Sequence, residues 1–161
     1  MKLLNELISD PNSEDLSIGV ITFYSKQVDV LYQEAEKEGY AEKNKDGTYE
    51  IVKRFHKTSD GSEKLRIGSV DSFQGKEFDI VILSTVRSNT LPRVDKNSSR
   101  VFGFLKLENR LNVAFSRAKK MIIVVGDGDM FKDDFASEHV KGLHAFYNKL
   151  SKDQKYGNQI R

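Results

Sequence analysis

The sequence predicts an α/β domain with a mostly parallel sheet covered by helices on both faces. Three observations lead there. Four short runs rich in β-branched residues, "SIGVITF" (17–23), "LRIGSV" (65–70), "DIVILSTV" (79–86) and "KMIIVVGD" (120–127), carry little charge. Strands buried on both faces read this way. Segments between and after them place apolar residues at helical spacing, and strands alternating with helices give a parallel sheet. The chain has 161 residues, 38% hydrophobic and 31% charged, enough for one core with a wet surface.

The elements follow in order. Leu3, Leu4, Leu7 and Ile8 predict a helix over 2–9, ended by Asp10-Pro11. "SIGVITF" is the first buried strand. Ser25 is a good N-cap, Val28, Leu31, Tyr32 and Ala35 form one helical face, and Gly39 stops the helix. Residues 40–64 are polar, with Asp46-Gly47 and Asp60-Gly61 turns around a weakly alternating "TYEIVKRF", which predicts an exposed hairpin. Two buried strands come next, then a loop over 88–100. A helix is expected from about 106 to 119, with Leu107, Leu111, Ala114, Phe115 and Ala118 buried. A fourth buried strand covers 120–127. Ala136, Val140, Leu143, Tyr147 and Leu150 mark one last helix. Residues 1–150 are expected to form a single domain and 151–161 a flexible tail.

Composition excludes several classes. There is no cysteine, so disulfides and thiolate metal sites are excluded and a reducing, intracellular setting is expected. No apolar run approaches a membrane span, and no membrane partner is expected. His56, His139 and His144 show no i,i+4 ligand pair, and no metal site is expected. The net charge of +2 gives no global argument for nucleic acid. Basic residues do gather between Arg87 and Lys120, a pattern that a solvated basic face also produces.

Chemistry is expected at the segments that follow strands: Tyr24-Ser25, 71–77, 87–89 and 126–127. The stretch "DSFQGKEFD" (71–79) looks like half a phosphate loop. The pattern fails, because Val70 stands where the first glycine belongs and Glu77 where Ser or Thr would ligate Mg²⁺. "GDGD" (126–129) holds a lone G-x-G, a weak signal. Strand-end acids Asp71, Asp79 and Asp127 offer a metal site only weakly, since no paired acids follow the first strand. On the helix expected at 106–119, Arg110 and Arg117 are seven apart and project along one line at the edge of the buried stripe. Spacing alone does not separate a functional pair from two surface arginines.

Three segments together resemble the second RecA-like domain of superfamily 1 helicases, in the 5′-to-3′ branch that includes the nonsense-mediated mRNA decay helicase. "IGVITFYSKQV" (18–28) resembles a motif IV-like strand and turn, with Phe23 where proline is common. "VDSFQGKEFDIVILSTVRSN" (70–89) resembles motif V. "GFLKLENRLNVAFSRAKKMIIVVGD" (103–127) resembles motif VI, whose R-L-N-V-A-x-[ST]-R-A-K core is specific.

The resemblance implies a three-layer RecA-like fold of the phosphate-loop NTPase type, without its own phosphate loop. It implies that Gln74 and Gly75 set a turn facing a nucleotide, and that Glu77 contacts the ribose. It implies that Arg117 is an arginine finger and that Arg110 supports the site. Thr22, Tyr24, Ser72, Thr85 and Arg87 fall where the family touches single-stranded DNA or RNA. ATP with Mg²⁺ is implied only for a two-domain enzyme, with an N-terminal RecA-like domain as partner, because no acidic box or phosphate loop is present here. The chain therefore reads as the C-terminal motor half of a longer helicase, not hydrolysing ATP by itself. The alternative is a free-standing, non-catalytic module that binds nucleic acid or a protein.

Overall fold

The computed structural model describes residues 1–152; most of the tail expected at 151–161 lies outside the described residues. In chain order the elements are α1 (Lys2–Ser9), β1 (Ile18–Thr22), α2 (Ser25–Lys37), β2 (Ala41–Lys43), β3 (Tyr49–Ile51), β4 (Leu65–Ser69) and β5 (Phe78–Ser84). Then come α3 (Ser98–Phe102), α4 (Glu108–Phe115), β6 (Ala118–Val125), α5 (Asp134–His139) and α6 (Lys141–Lys152). The chain divides into two compact units. One comprises Met1–Ser84 with Val113–Val124, and the other Thr85–Asn112 with the residues from Val125 on.

The first unit holds a four-stranded sheet in the order β4-β1-β5-β6. β1 pairs in parallel with both β4 and β5, so that Val20 lies beside Ile67 and Ile82. All five β1 residues are buried, as the uncharged run predicts. Ile18, Val20, Leu65, Ile67, Ile80 and Ile82 form one apolar layer with Ala35, against which Leu3, Leu7, Leu31 and Tyr32 also pack. This is the α/β, RecA-like arrangement that the sequence predicts.

On a neighbouring strand position the packing is set by a glycine. A Cβ on Gly19 would stand 2.7 Å from Phe73 Cε1 and 3.1 Å from Phe78 Cδ2. Both rings are buried, with centroids 5.3 Å apart. Each buried phenyl contributes roughly 1.5–3 kcal/mol of transfer free energy. The absent side chain lets the chain between β4 and β5 lie flat against the sheet.

A polar staple fixes the starts of the strands. Asp79 Oδ2 accepts from the Ser17 amide at 3.0 Å and from the Ser17 hydroxyl at 2.7 Å, while the Asp79 amide donates to Ser17 Oγ at 2.8 Å. Lys120 Nζ lies 3.0 Å from Asp79 Oδ1. Burial alone would raise the Asp79 pKa, but the Ser17 hydrogen bonds and Lys120 outweigh it and hold the carboxyl below its usual range. Asp79 thus ties β1, β5 and β6 together and is not available as a metal ligand.

Several expectations are corrected. The Ser25 side chain is not the cap of α2; Tyr24 occupies the N-cap, with no side-chain hydrogen bond. The segment 40–64 does form a hairpin, β2 with β3, but it is not merely exposed. Tyr40, Ala41 and Phe55 are buried, and Tyr49 stacks on Tyr32 of α2 at 5.7 Å, because its scattered apolar residues cover that helix. β6 is an edge strand and half exposed, with Met121 51% and Val125 45% accessible. Its uninterrupted apolar run cannot tell an edge from a centre.

The second unit contains α3, where a loop was expected, and α5 and α6 in place of one last helix. The break falls at Val140 (φ −142°, ψ 56°), which is itself fully buried with Ala136 and Leu143. Arg93 clamps this unit. Its Nε lies 3.1 Å from Asp133 Oδ2, its Nη1 donates to the Met130 carbonyl at 3.3 Å, and its guanidinium lies over the Phe102 ring. Among the described residues no helix is long and apolar enough to cross a membrane.

Two outcomes are expected. Gly19→Ala should lower stability by about 1–3 kcal/mol, because the buried rings must shift to admit the methyl group. A urea midpoint equal to that of the original chain would show that the contact is slack. Asp79→Asn should lower the melting temperature at pH 7 and also flatten its fall in acid. The stabilisation from a depressed carboxyl is complete above about pH 4 and is lost as the pH drops through the folded-state value. Melting curves recorded from about pH 6 to about pH 2 check this; parallel curves for the two proteins would refute it.

Candidate functional site

The glycine of "DSFQGKEFD" has a backbone role. Gln74 has φ −59° and ψ 126°, Gly75 has φ +75°, and the Lys76 amide donates to the Phe73 carbonyl at 3.0 Å. These are the dihedrals and the closing bond of a type II turn, which demands positive φ at its third residue. Phe73 and Phe78 anchor the two ends in the core, and Gln74, Gly75, Lys76 and Glu77 stand exposed between them. Lys76 is not a phosphate-loop lysine. Its Nζ lies 3.0 Å from Glu63 Oε2, and Glu63 also meets Arg66 at 2.8 Å. Burial would raise the Glu63 pKa, but these two cations hold it below its usual range.

Arg117 docks on this turn. Its Nη1 donates to the Lys76 carbonyl at 3.2 Å, its Nε to the Val113 carbonyl at 3.1 Å and its Nη2 to Ser116 Oγ at 2.9 Å. The Phe78 amide donates to the Arg117 carbonyl at 2.9 Å. Glu77 is therefore bracketed by residues that both bond Arg117. Among the described residues three of the five guanidinium N–H groups are used, which leaves one on each terminal nitrogen for an anion. That is a held, bidentate fork.

The position of Arg117 corrects the sequence reading. α4 ends at Phe115, Ser116-Arg117 is a turn, and β6 starts at Ala118. Arg110 and Arg117 do not share a helical line. The bond from Phe78 draws residue 117 into the sheet, and the Arg117 side chain satisfies a carbonyl of the last helical turn. Ser116, which sequence reasoning did not single out, holds the Arg117 side chain. It donates to the Val113 carbonyl at 3.0 Å while accepting from Arg117. The [ST] immediately before the arginine in the motif was its signal. Arg110, in the second unit, is half buried and lies over the exposed Phe104 ring at 5.5 Å.

The remaining candidates lie elsewhere. In the sheet register Thr22 stands beside Ser69 and Ser84, the carboxyl ends of three strands. The glycine turn and Arg117 instead meet the amino end of β5. Six residue steps of about 3.3 Å separate the two ends, on the order of 20 Å. The expectation that residues 71–77 all belong with the strand carboxyl ends is therefore corrected for Gln74, Gly75 and Glu77. The connection doubles back across the sheet once Phe73 has packed on Gly19. Ser72 is exposed, and its hydroxyl donates to the Ser69 carbonyl at 2.7 Å.

Thr22 is fully buried, with no hydrogen-bond partner for its hydroxyl, and Tyr24 is half buried. Thr85 is also fully buried, and Arg87 is half buried in the second unit. Neither threonine side chain offers surface to a ligand in this arrangement.

The structure also gathers Asp95, Glu138 and His139, whose ligand atoms lie within 4.8 Å of one another. His139 Nε2 is 3.1 Å from Asp95 Oδ1, and Asp95 is 87% exposed. This is the geometry of a surface Asp–His pair.

Comparison with known proteins agrees with the motif reading. A family model described as an AAA domain matches residues 1–129. The chain is 36% identical over 117 residues to a zebrafish protein named putative helicase mov-10-B.1, covering 73% of this chain and 10% of that protein. It is 37% identical over 110 residues to the regulator of nonsense transcripts 1 homolog of Drosophila melanogaster, covering 68% and 7%. It is 36% identical over 126 residues to the mouse RNA helicase Mov10l1, covering 78% and 8%. The chain thus spans about a tenth or less of the length of these curated relatives. With motif V and motif VI folded onto each other through Arg117, and with the family match covering most of its length, the chain belongs to the AAA domain family as a superfamily 1 helicase C-terminal domain.

Proposed function

We propose that this chain is the second motor domain of an ATP-dependent nucleic-acid helicase, supplying half of a nucleotide site whose other half lies on an N-terminal RecA-like domain. The observation that carries the reading is the pair of hydrogen bonds joining Arg117 to Lys76 and Phe78 on either side of Glu77. An acid suited to a ribose hydroxyl and a forked cation suited to phosphoryl oxygens stand on one rigid edge. In the two-domain enzyme the partner domain supplies the phosphate loop and the Mg²⁺ ligands. Closing the cleft brings Arg117 to the γ-phosphoryl group, where the charge of the transition state is spread over three oxygens. Gln74 and Gly75 hold the turn; for Arg110, in the second unit, the motif resemblance gives a supporting role only.

Single-stranded DNA or RNA is assigned, in the first unit, to the segments after β1 and β4, with Tyr24 and Ser72 as contacts, and, in the second unit by itself, to the segment after β5, with Arg87 as contact. Thr22 and Thr85 are then buried supports of these segments rather than ligand contacts, Thr85 through its hydroxyl bond to the Val125 carbonyl. Separate edges for nucleotide and strand suit a motor, because opening and closing at one edge displaces the other.

Arg117→Ala in the two-domain enzyme is expected to lower kcat by roughly 10³-fold or more, with nucleotide affinity reduced modestly. Arg117→Lys should restore little, since an ammonium cannot keep the Val113 and Lys76 bonds while presenting a fork. Single-turnover hydrolysis with circular dichroism on both variants decides. Substantial activity in the lysine variant would remove the finger assignment.

The chain alone is expected to bind single strands weakly and without sequence preference. Its log K should fall with log salt by about 0.7 for each phosphate contact. Anisotropy titrations at several salt concentrations measure the slope, and a flat dependence would argue against phosphate contacts altogether.

A further inference from the structure

Val86 is the one non-glycine residue with positive φ among the described residues, at +63°. A β-branched side chain resists that conformation because its Cβ crowds the neighbouring carbonyl. The Arg87 amide donates to the Thr85 carbonyl at 2.7 Å, closing a three-residue turn around Val86. A γ-turn with positive φ at its centre is rare and strained. Burial does not explain the valine, which is 43% exposed. Glycine or asparagine would adopt this backbone at lower cost.

The strain persists because both flanks are fixed. The Thr85 amide donates to the Val125 carbonyl at 3.0 Å, and the Thr85 hydroxyl donates to the same oxygen at 3.4 Å. On the other side Ser88 Oγ donates to Asp127 Oδ2 at 2.7 Å, and Asn89 Nδ2 to the Val101 carbonyl at 3.0 Å. Between these clamps the chain alternates sharply: Thr85 is fully buried, and the next side chain is exposed beside Arg87. Strained residues held by over-determined surroundings concentrate at functional sites.

We infer that Val86 is itself a nucleic-acid contact, its branched apolar side chain packing on a base or sugar of the single strand whose phosphate Arg87 meets. This rests on the proposed reading that the segment after β5 faces a single strand. Every base has an apolar face, so such a contact is sequence-tolerant, in keeping with a motor that must step along any strand. The strained backbone is the cost of holding an apolar group outward at that point.

The test uses the full 161-residue chain, a fluorescein-labelled oligouridylate of about 12 nucleotides and the variants Val86→Asn, Val86→Ile and Arg87→Ala. Val86→Asn relieves the strain and removes the apolar group. It should raise the melting temperature by about 2–4 °C and weaken binding about three- to ten-fold. Val86→Ile should keep the affinity of the original chain, and Arg87→Ala should weaken binding independently. Undiminished binding by Val86→Asn, with Arg87→Ala still weakened, would overturn the Val86 contact and leave the proposed reading standing. A lower melting temperature for Val86→Asn would overturn the strain on which the inference depends. No binding by the original chain at low salt would overturn the reading and the contact together.

Discussion

The packing of Phe73 and Phe78 against the bare backbone of Gly19 is the contact on which the rest depends. β1 is the inner strand between β4 and β5, and it is buried along its whole length. A side chain at position 19 would hold the two rings away from the sheet. With them seated, the connection from β4 to β5 crosses the sheet within eight residues and arrives at the amino end of β5 in a type II turn. Everything exposed in that turn inherits its position from two side chains that are not. This is the usual relation between core and site: rigid apolar anchors fix the backbone, and polar groups are displayed from it.

This geometry also fixes Arg117. A surface arginine samples many rotamers and loses up to about 2 kcal/mol of entropy when a ligand fixes it. Here three hydrogen bonds have fixed it before any ligand arrives. Two of the acceptors are main-chain carbonyls, whose positions do not vary with side-chain motion. One of them, Val113, belongs to the last turn of α4 and needs a partner in any case. The same interactions that end the helix therefore aim the guanidinium.

Charge elsewhere in the chain is spent on structure. Asp79 joins three strands through Ser17 and Lys120, Glu63 binds Arg66 and Lys76, and Arg93 clamps the second unit through Asp133 and main-chain carbonyls. Asp79 is a weak metal candidate in the sequence, and Lys76 lies in the stretch that looks like half a phosphate loop. Ion pairs of this kind are individually weak when exposed. Their effect is to engage Asp79 and Lys76 with structural partners, while Glu77 stays exposed on the turn that Arg117 bonds.

The sequence by itself determined the class of fold, because strand and helix are properties of local side-chain period. β1, β4, β5, α1 and α2 lie within a residue or two of where their patterns place them. It also carried motif VI, since ten consecutive residues of that kind are not a generic helix. It did not determine that β6 is an edge, that α4 stops before Arg117, or that Thr22 and Thr85 are sealed inside. Nor did it reveal that Val86 is strained. Those depend on which distant groups meet. Arg117 and Lys76 are 41 residues apart, and the bond between them exists only once Phe73, Phe78 and Gly19 have packed. A periodic pattern records which face of an element is apolar. It does not record what that face lies against, and only the tertiary structure supplies this.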